Sequence, residues 1–436
     1  MNLLFVFLIS LLCFVPCVVA EANPAPLSLE EVERLALLTH PQANKARLRV
    51  NLSREVKKES FSPFLPNVVF NATAVGTSDA NTRIGAGSLS NPAIFERNAE
   101  GITISQVITD FGRSVNLYGA AKDLWKAETQ NENATLNSLL YQADTLFFLA
   151  LETDEVTHVA AQTVTNRLEL LNQVSALASN KLKSDLDLSF AKIGVDEANL
   201  LFLNAKSEKD SALLRLNAFI GRPVTDTLQL NYSDVAQASI STNLTELIFI
   251  ALKENPALKR LRLESESANK TSRAERALHY PTISAVASAG IIPAGDKTFR
   301  EDYAAAGINL SLPLFAGGQH VARQREAKIR EDIAQESLRE AETNIVREVK
   351  IAWFTANSAH EKEIVTEKLL QHAGQSYNLA KTKYDVGSSS IIEFSQAQLN
   401  KTSAEINQKT AHYEYLVKRA NLYYQIGVRD SSLLKN

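Results

Sequence analysis

The chain has 436 residues, 46 basic and 49 acidic side chains, 45% apolar residues, two cysteines and one methionine. A formal charge of −3 over that length argues against a basic surface for a nucleic-acid backbone. Sixteen glycines and 12 prolines among abundant Ala, Leu, Glu, Lys and Asn argue against a collagenous or all-β chain, so long helices are predicted.

Leu3 to Ala20 carries no charge, has an apolar core from Leu3 to Ile9, and ends in Val18-Val19-Ala20 after Pro16. This reads as a secretory signal peptide over residues 1–20, cleaved after Ala20. Both cysteines, Cys13 and Cys17, fall inside it, so thiol chemistry is not expected in the exported chain. Phe14-Val15-Pro16 is a poor match to a lipoprotein signal at Cys17.

The rest of the chain is a duplication. His40-Pro41 answers Asn255-Pro256, and Leu65-Pro66 answers Tyr280-Pro281, at a common offset of 215. From Gly101 the offset becomes 206 and holds without a gap, so that 101–221 aligns on 307–427. A gap inside a packed helix would shift every later contact, so the ungapped stretch should be a rigid rod and the length change a surface loop. The first repeat covers 21–221 and the second 243–427, with a linker over 222–242 and a tail over 428–436.

Each repeat reads as two helices, a strand, a loop, a strand, a very long helix, a tight turn and a long helix. The strands are predicted near 67–75 and 101–108, then near 282–289 and 306–314. In the last of these Ala306, Ile308, Leu310, Leu312 and Leu314 share one face, opposite Gly307, Asn309, Ser311 and Pro313. Thr77 to Ala99 and Ile291 to Arg300 are rich in turn formers and predict exposed loops. The long helices are predicted over about 112–179 and 185–220, then about 318–385 and 391–426. Between Gly318 and Asp385 there is no proline and only Gly374 inside, enough for one helix on the order of 100 Å long. Within it Ala334, Leu338, Ala341, Ile345, Val349, Ala352 and Ala356 make a narrow seam for another helix, echoed by Leu139, Ala143, Leu146 and Ala150.

Four strands of this length can cross a bilayer, but known spanning barrels need about eight or more, because an open edge in lipid strands its backbone groups. If the strands span, several copies must pool them. Phe64, Phe111, Tyr280, Tyr303 and Phe315 near the strand ends suit interfacial girdles. The competing reading is a periplasmic coiled-coil scaffold whose sheet never enters lipid.

The duplicated halves, the breaks at Pro41 and Pro256, Gln106 to Gly112, Leu312 to Gly318, and Tyr384-Asp385-Val386-Gly387 together resemble the TolC-type outer-membrane efflux proteins. The resemblance covers essentially the whole chain beyond the leader. It implies a mainly α fold with a membrane β-barrel: a homotrimer forming a 12-stranded barrel in outer-membrane lipid, continued by a long periplasmic α-helical barrel. Its implied partners are a periplasmic adaptor and an inner-membrane pump, of efflux or type I secretion kind.

The resemblance also implies a periplasmic gate at the helical tips, where Tyr384 would hydrogen-bond Asp187 and Glu393 would form a ring of carboxylates with Asp185 nearby. Helix N-terminal capping is an equally good account of Asp185 and Asp187. The implied adaptor-docking tips are Val386, Gly387 and Ser388, with Lys181 and Leu182 in the first repeat. Ser389 stands where some relatives carry a locking arginine, and Gln396 where some carry a second acidic ring, which implies a looser or less cation-selective gate. The seven histidines are scattered without metal-ligand spacing, and no Walker loop, nucleophile elbow or dinucleotide fingerprint is present. The expectation is a passive duct without cofactor, metal or catalysis and without nucleic acid as partner.

Overall fold

The computed structural model describes residues 26–74, 98–223, 228–232, 243–293 and 300–428. The predicted leader, residues 75–97 and 294–299, most of the linker and residues 429–436 of the tail lie outside the described residues. The first half runs α1 (Leu29–Thr39), α2 (Pro41–Glu59), β1 (Asn67–Ala74), β2 (Asn98–Thr109), α3 (Arg113–Ser179) and α4 (Asp185–Phe219). The second runs α5 (Leu244–Glu254), α6 (Pro256–Arg276), β3 (Thr282–Pro293), β4 (Arg300–Ser311), α7 (Gln319–Asp385) and α8 (Ile391–Ile426) in the same order. With 67 residues each, α3 and α7 are about 100 Å long.

The chemistry at the breaks is local. Proline at the first helical position lacks only a donor that would be orphaned anyway, and the residue before it caps the new helix. His40 Nδ1 accepts from Gln42 N at 3.2 Å, and Asn255 Oδ1 accepts from Ala257 N at 2.9 Å. The far ends repeat too: Gly221 (φ 71°) follows α4 and Gly427 (φ 81°) follows α8, each packed on the break between the two helices of the corresponding pair, at Thr39 and at Asn255-Pro256.

The strands form one antiparallel sheet in the order β1-β2-β3-β4. Register separates two faces. One carries Ala72, Glu100, Ile291 and Asp302 toward the hairpin end, then Phe70, Ile102, Ala289 and Ala304, then Val68, Ile104, Ala287 and Ala306, then Gln106, Ala285 and Ile308, and last Ile283 with Leu310. The other carries Asn71, Gly101, Gly290 and Tyr303, then Val69, Thr103, Ser288 and Ala305, then Asn67, Ser105, Val286 and Gly307. Phe70, Ile102, Ile104, Ile308 and Leu310 on the first face are exposed.

Strand limits differ from the sequence reading. β4 stops at Ser311, so Leu312 and Leu314 lie outside the sheet; Pro313 offers no N–H and β4 is an edge strand with no second neighbour to hold it. Its counterpart β2 continues to Thr109 because β3 pairs with it past a bulge between Val107 and Thr109. The hairpin between β3 and β4 extends its ladder to Pro293 and Arg300, into the segment expected to be loop. At the other end Asn98 and Ala99 belong to β2.

The helices pack as a single layer. Close to the sheet α2 lies on α3 (Lys57 Nζ 4.1 Å over the Trp125 ring), α6 lies on its other side (Ser267 Oγ to Ala120 O, 3.0 Å), and α7 follows α6 (Asn269 Nδ2 to Glu331 Oε1, 2.8 Å). Further away α4 replaces α2 beside α3 (Lys209 to Asp154, 2.5 Å), and α8 stands between α3 and α7 (Thr163 to Thr402, 3.3 Å; Lys362 to Glu414, 2.6 Å). At the changeover α1, Leu27 and Leu230 cover Ala143, Phe147 and Ala150 of α3, while α5 covers Val349, Ala352 and Ala356 of α7.

A layer one helix thick buries only the seam between neighbours, which explains small residues there. Its two lateral margins remain greasy. Leu48, Leu52 and Val56 of α2 and Leu186, Ile193, Leu200 and Leu203 of α4 are exposed at one margin. Ile329, Ile333, Val365, Leu369 and Leu379 of α7 are exposed on the helix that ends the row at the other. The sheet ends the same way, with β1 and β4 as unpaired edges.

Candidate duct wall and helical tips

All helices leave the sheet at one end, where aromatic rings gather. Phe61 stacks on Phe64 at 5.1 Å with Tyr118 edge-on, and Phe111 lies 5.8 Å from Tyr280. Leu314 and Phe315 are 89% and 88% exposed there, between β4 and Gly317-Gly318. Tyr303 lies apart from this group, on the glycine-rich face toward the other end of the sheet. No helix among the described residues is long and apolar enough to cross a membrane.

The opposite end of the layer is made by two helical turns. At the first, Leu182 N donates to Leu177 O at 2.9 Å and Lys181 takes φ 59°; at the second, Ser388 N donates to Lys383 O at 2.9 Å and Gly387 takes φ 76°. Lys181 therefore holds a left-handed conformation that its counterpart Gly387 adopts without a Cβ penalty. Leu182 and Val386 project into solvent. Serines cap both returning helices: Ser184 Oγ accepts from Asp187 N at 3.1 Å and Ser390 Oγ from Glu393 N at 3.2 Å.

Asp187 completes a capping box by accepting from Ser184 N at 3.1 Å and Ser184 Oγ at 2.8 Å, and these bonds hold its carboxyl below the usual range. The expected Tyr384–Asp187 hydrogen bond is absent. Tyr384 is 6% exposed, its hydroxyl is buried without a partner among the described residues, and burial, followed by the negative charges of Asp187 and Asp385, raises its pKa. The physical reason is that Asp187 is turned back onto its own helix start. What holds Tyr384 is its ring, stacked on Phe394 at 5.2 Å and 13°. Tyr377 covers Phe394 at 5.7 Å, and Lys183 Nζ sits 4.6 Å from the Tyr384 ring, tying the first turn to the second hairpin.

Glu393 accepts a hydrogen bond from Ser389 Oγ, which occupies the position of the missing arginine. Gln396 Nε2 bonds Asn400 Oδ1 at 3.0 Å along its own helix. Asp185 lies in the first turn of α4, and its backbone oxygen accepts from Ser189 Oγ at 2.9 Å. The structure thus brings Tyr384 to the first turn, keeps Asp187 and Glu393 on their respective helix starts, and joins none of these carboxylates directly to another.

Three participants are not evident from the sequence. Phe394 and Tyr377 form the aromatic stack; the spacing of Tyr377 and Tyr384, seven residues or about two turns on one face, was the available signal. Arg167 of α3 is buried, lies 3.4 Å from Ser395 O of α8, and has its pKa lowered by burial. Gly194 of α4 makes room for it, since a Cβ there would stand 3.3 Å from its guanidinium nitrogen.

Comparison with known proteins gives a consistent picture. Residues 247–428 match the family model described as outer membrane efflux protein. The outer membrane protein TolC of Salmonella enteritidis is 23% identical over 419 residues, covering 92% of this chain and 82% of that protein. The alkaline protease secretion protein AprF of Pseudomonas aeruginosa is 23% identical over 418 residues, covering 94% and 86%. Among solved structures, the CmeC outer membrane channel of Campylobacter jejuni superposes with a TM-score of 0.78 at 19% identity, covering 92% of this chain and 85% of that one. The outer membrane protein VceC of Vibrio cholerae gives 0.78 at 15%, covering 92% and 96%.

Proposed function

We propose that this chain is a TolC-type outer membrane efflux protein, a reading supported by the family match over residues 247–428 and the similarity to TolC, and that it is the passive outer-membrane duct of a tripartite export system. Three copies close side to side. The weight falls on a coincidence of margins: β1 with α2 and α4 ends the molecule on one side, β4 with α7 on the other, and both margins are apolar or unpaired. An edge strand left in lipid costs several kcal/mol for each unsatisfied group, so closure on identical neighbours supplies what one chain lacks. β1 and β4 run antiparallel, which lets β4 of one copy pair with β1 of the next in a head-to-tail ring. Three copies give twelve strands, above the roughly eight a spanning barrel needs.

In this arrangement the face bearing Phe70, Ile104 and Ile308 meets lipid, and the face of glycine, serine and asparagine lines the lumen. The aromatics at the helix end sit at the periplasmic interface. The helices extend the duct about 100 Å into the periplasm, and their turns form its mouth. We assign the gate to Tyr384, Asp187, Glu393 and Asp185, with closure held by the Tyr384–Phe394–Tyr377 stack and with carboxylates repeated around the axis favouring cations. Val386, Gly387, Ser388, Lys181 and Leu182 meet the periplasmic adaptor, which links the duct to an inner-membrane pump. Energy comes from that pump, and the duct itself does no catalysis.

The test is planar-bilayer conductance of protein purified from outer membranes, with and without Glu393→Ala. A cation-selective conductance that loses selectivity in the variant supports the assignment. Unchanged selectivity removes Glu393 from the gate, and a monomer extracted without detergent overturns the duct itself.

A further inference from the structure

We propose that the lumen-facing wall of the sheet is a charge-blind sleeve that passes solutes of either sign, so that discrimination by charge is left to the helical part of the duct. The inference rests on the duct reading above and deepens it. Between the row of Thr282 and Ser311 and the row of Gly101, Gly290 and Tyr303, this face has no Asp, Glu, Lys or Arg among the described residues. The span from Tyr303 to Ser311 is about 27 Å along the strand, enough for most of a bilayer core.

The wall is also low. Gly101, Gly290, Gly307 and Ala305 leave the backbone nearly bare, and the one large ring lies down rather than projecting. A Cβ at Gly290 would stand 2.8 Å from Tyr303 Cε1 and 2.4 Å from Glu100 O, so the absent side chain is what lets the Tyr303 ring rest on the strand. Fixed charge in a narrow, low-dielectric passage enriches counter-ions by roughly ten- to a thousand-fold. A wall of hydroxyls, amides, glycines and small aliphatic side chains such as Val69 and Val286 carries no charge and withholds that bias, whereas the tips carry Asp185 and Glu393.

Both cysteines of the chain, Cys13 and Cys17, lie in the predicted leader, so one introduced thiol reports its own surroundings. Ser288→Cys places it mid-wall, Thr103→Cys beside it in the same row, and Ala289→Cys on the opposite face. Outer-membrane vesicles are treated with sulfonatoethyl and trimethylammonioethyl methanethiosulfonates, and rates are normalised to a free thiol. The anionic and cationic reagents should modify Ser288→Cys and Thr103→Cys at rates within about threefold of each other, and adding Ser284→Asp should favour the cationic reagent by about tenfold or more. A tenfold preference for either sign without the added aspartate overturns the sleeve. Modification of Ala289→Cys with protection of both other thiols would instead overturn the facing assigned in the duct reading, and the sleeve with it.

Discussion

Tyr384 separates two ways of holding the mouth shut. If its hydroxyl is the latch, Tyr384→Phe opens the duct; if its ring is the latch, Tyr384→Phe leaves it closed and only Tyr384→Ala opens it. The hydroxyl is buried without a hydrogen-bond partner among the described residues, and Asp187 is engaged by Ser184. Removing an unsatisfied buried hydroxyl should stabilise the tip by on the order of 1 kcal/mol. Truncating the ring removes the 5.2 Å stack on Phe394 and empties a site 6% exposed, a loss of about 3–5 kcal/mol by analogy with buried aromatic-to-alanine changes. Single-channel recording in planar bilayers should therefore give closed dwell times at or above the wild-type length for Tyr384→Phe and long openings for Tyr384→Ala. Openings of similar length in both variants would refute the reasoning and make the hydroxyl the latch.

Lys181→Gly should raise the thermal midpoint, because relieving a left-handed lysine is worth about 1–2 kcal/mol, and differential scanning calorimetry reads the change. Gly427→Ala should destabilise by roughly 2–5 kcal/mol in denaturant titration, combining a positive φ with a Cβ only 2.7 Å from Asn255 Cα. The depressed pKa of Asp187 stabilises the α4 start at pH values above its unfolded value, and that contribution fades as pH falls through the folded one. Hydrogen exchange of the first α4 amides should accelerate in acid, and Ser184→Ala should abolish most of that dependence. An acid response unchanged by Ser184→Ala would contradict the capping-box account.

What the sequence reveals here follows from which forces are local. Pro41 and Pro256 mark helix starts because a missing N–H costs nothing at that position, and the ungapped register from Gly101 onward reflects rods that tolerate no insertion. The alternation in β4 is legible up to Ser311 because it depends only on the pleat; its end is not, because Pro313 matters through what an edge strand lacks. The same limit applies at the tips. Capping of α4 by Ser184 is a matter of three neighbouring residues, but the choice of Phe394 over Asp187 as the partner of Tyr384 depends on how two hairpins cross. Arg167 is not evident for a related reason, since a mid-helix arginine is ordinarily solvated and here it packs closely against the bare flank of Gly194 on another helix.

The central claim is that one chain supplies a third of a closed wall. Electron cryomicroscopy of particles extracted from the outer membrane in detergent tests it directly. The predicted result is three chains around a hollow axis, with β4 of each paired to β1 of the next. Particles without a threefold axis, or with the two strand edges left free, would contradict it.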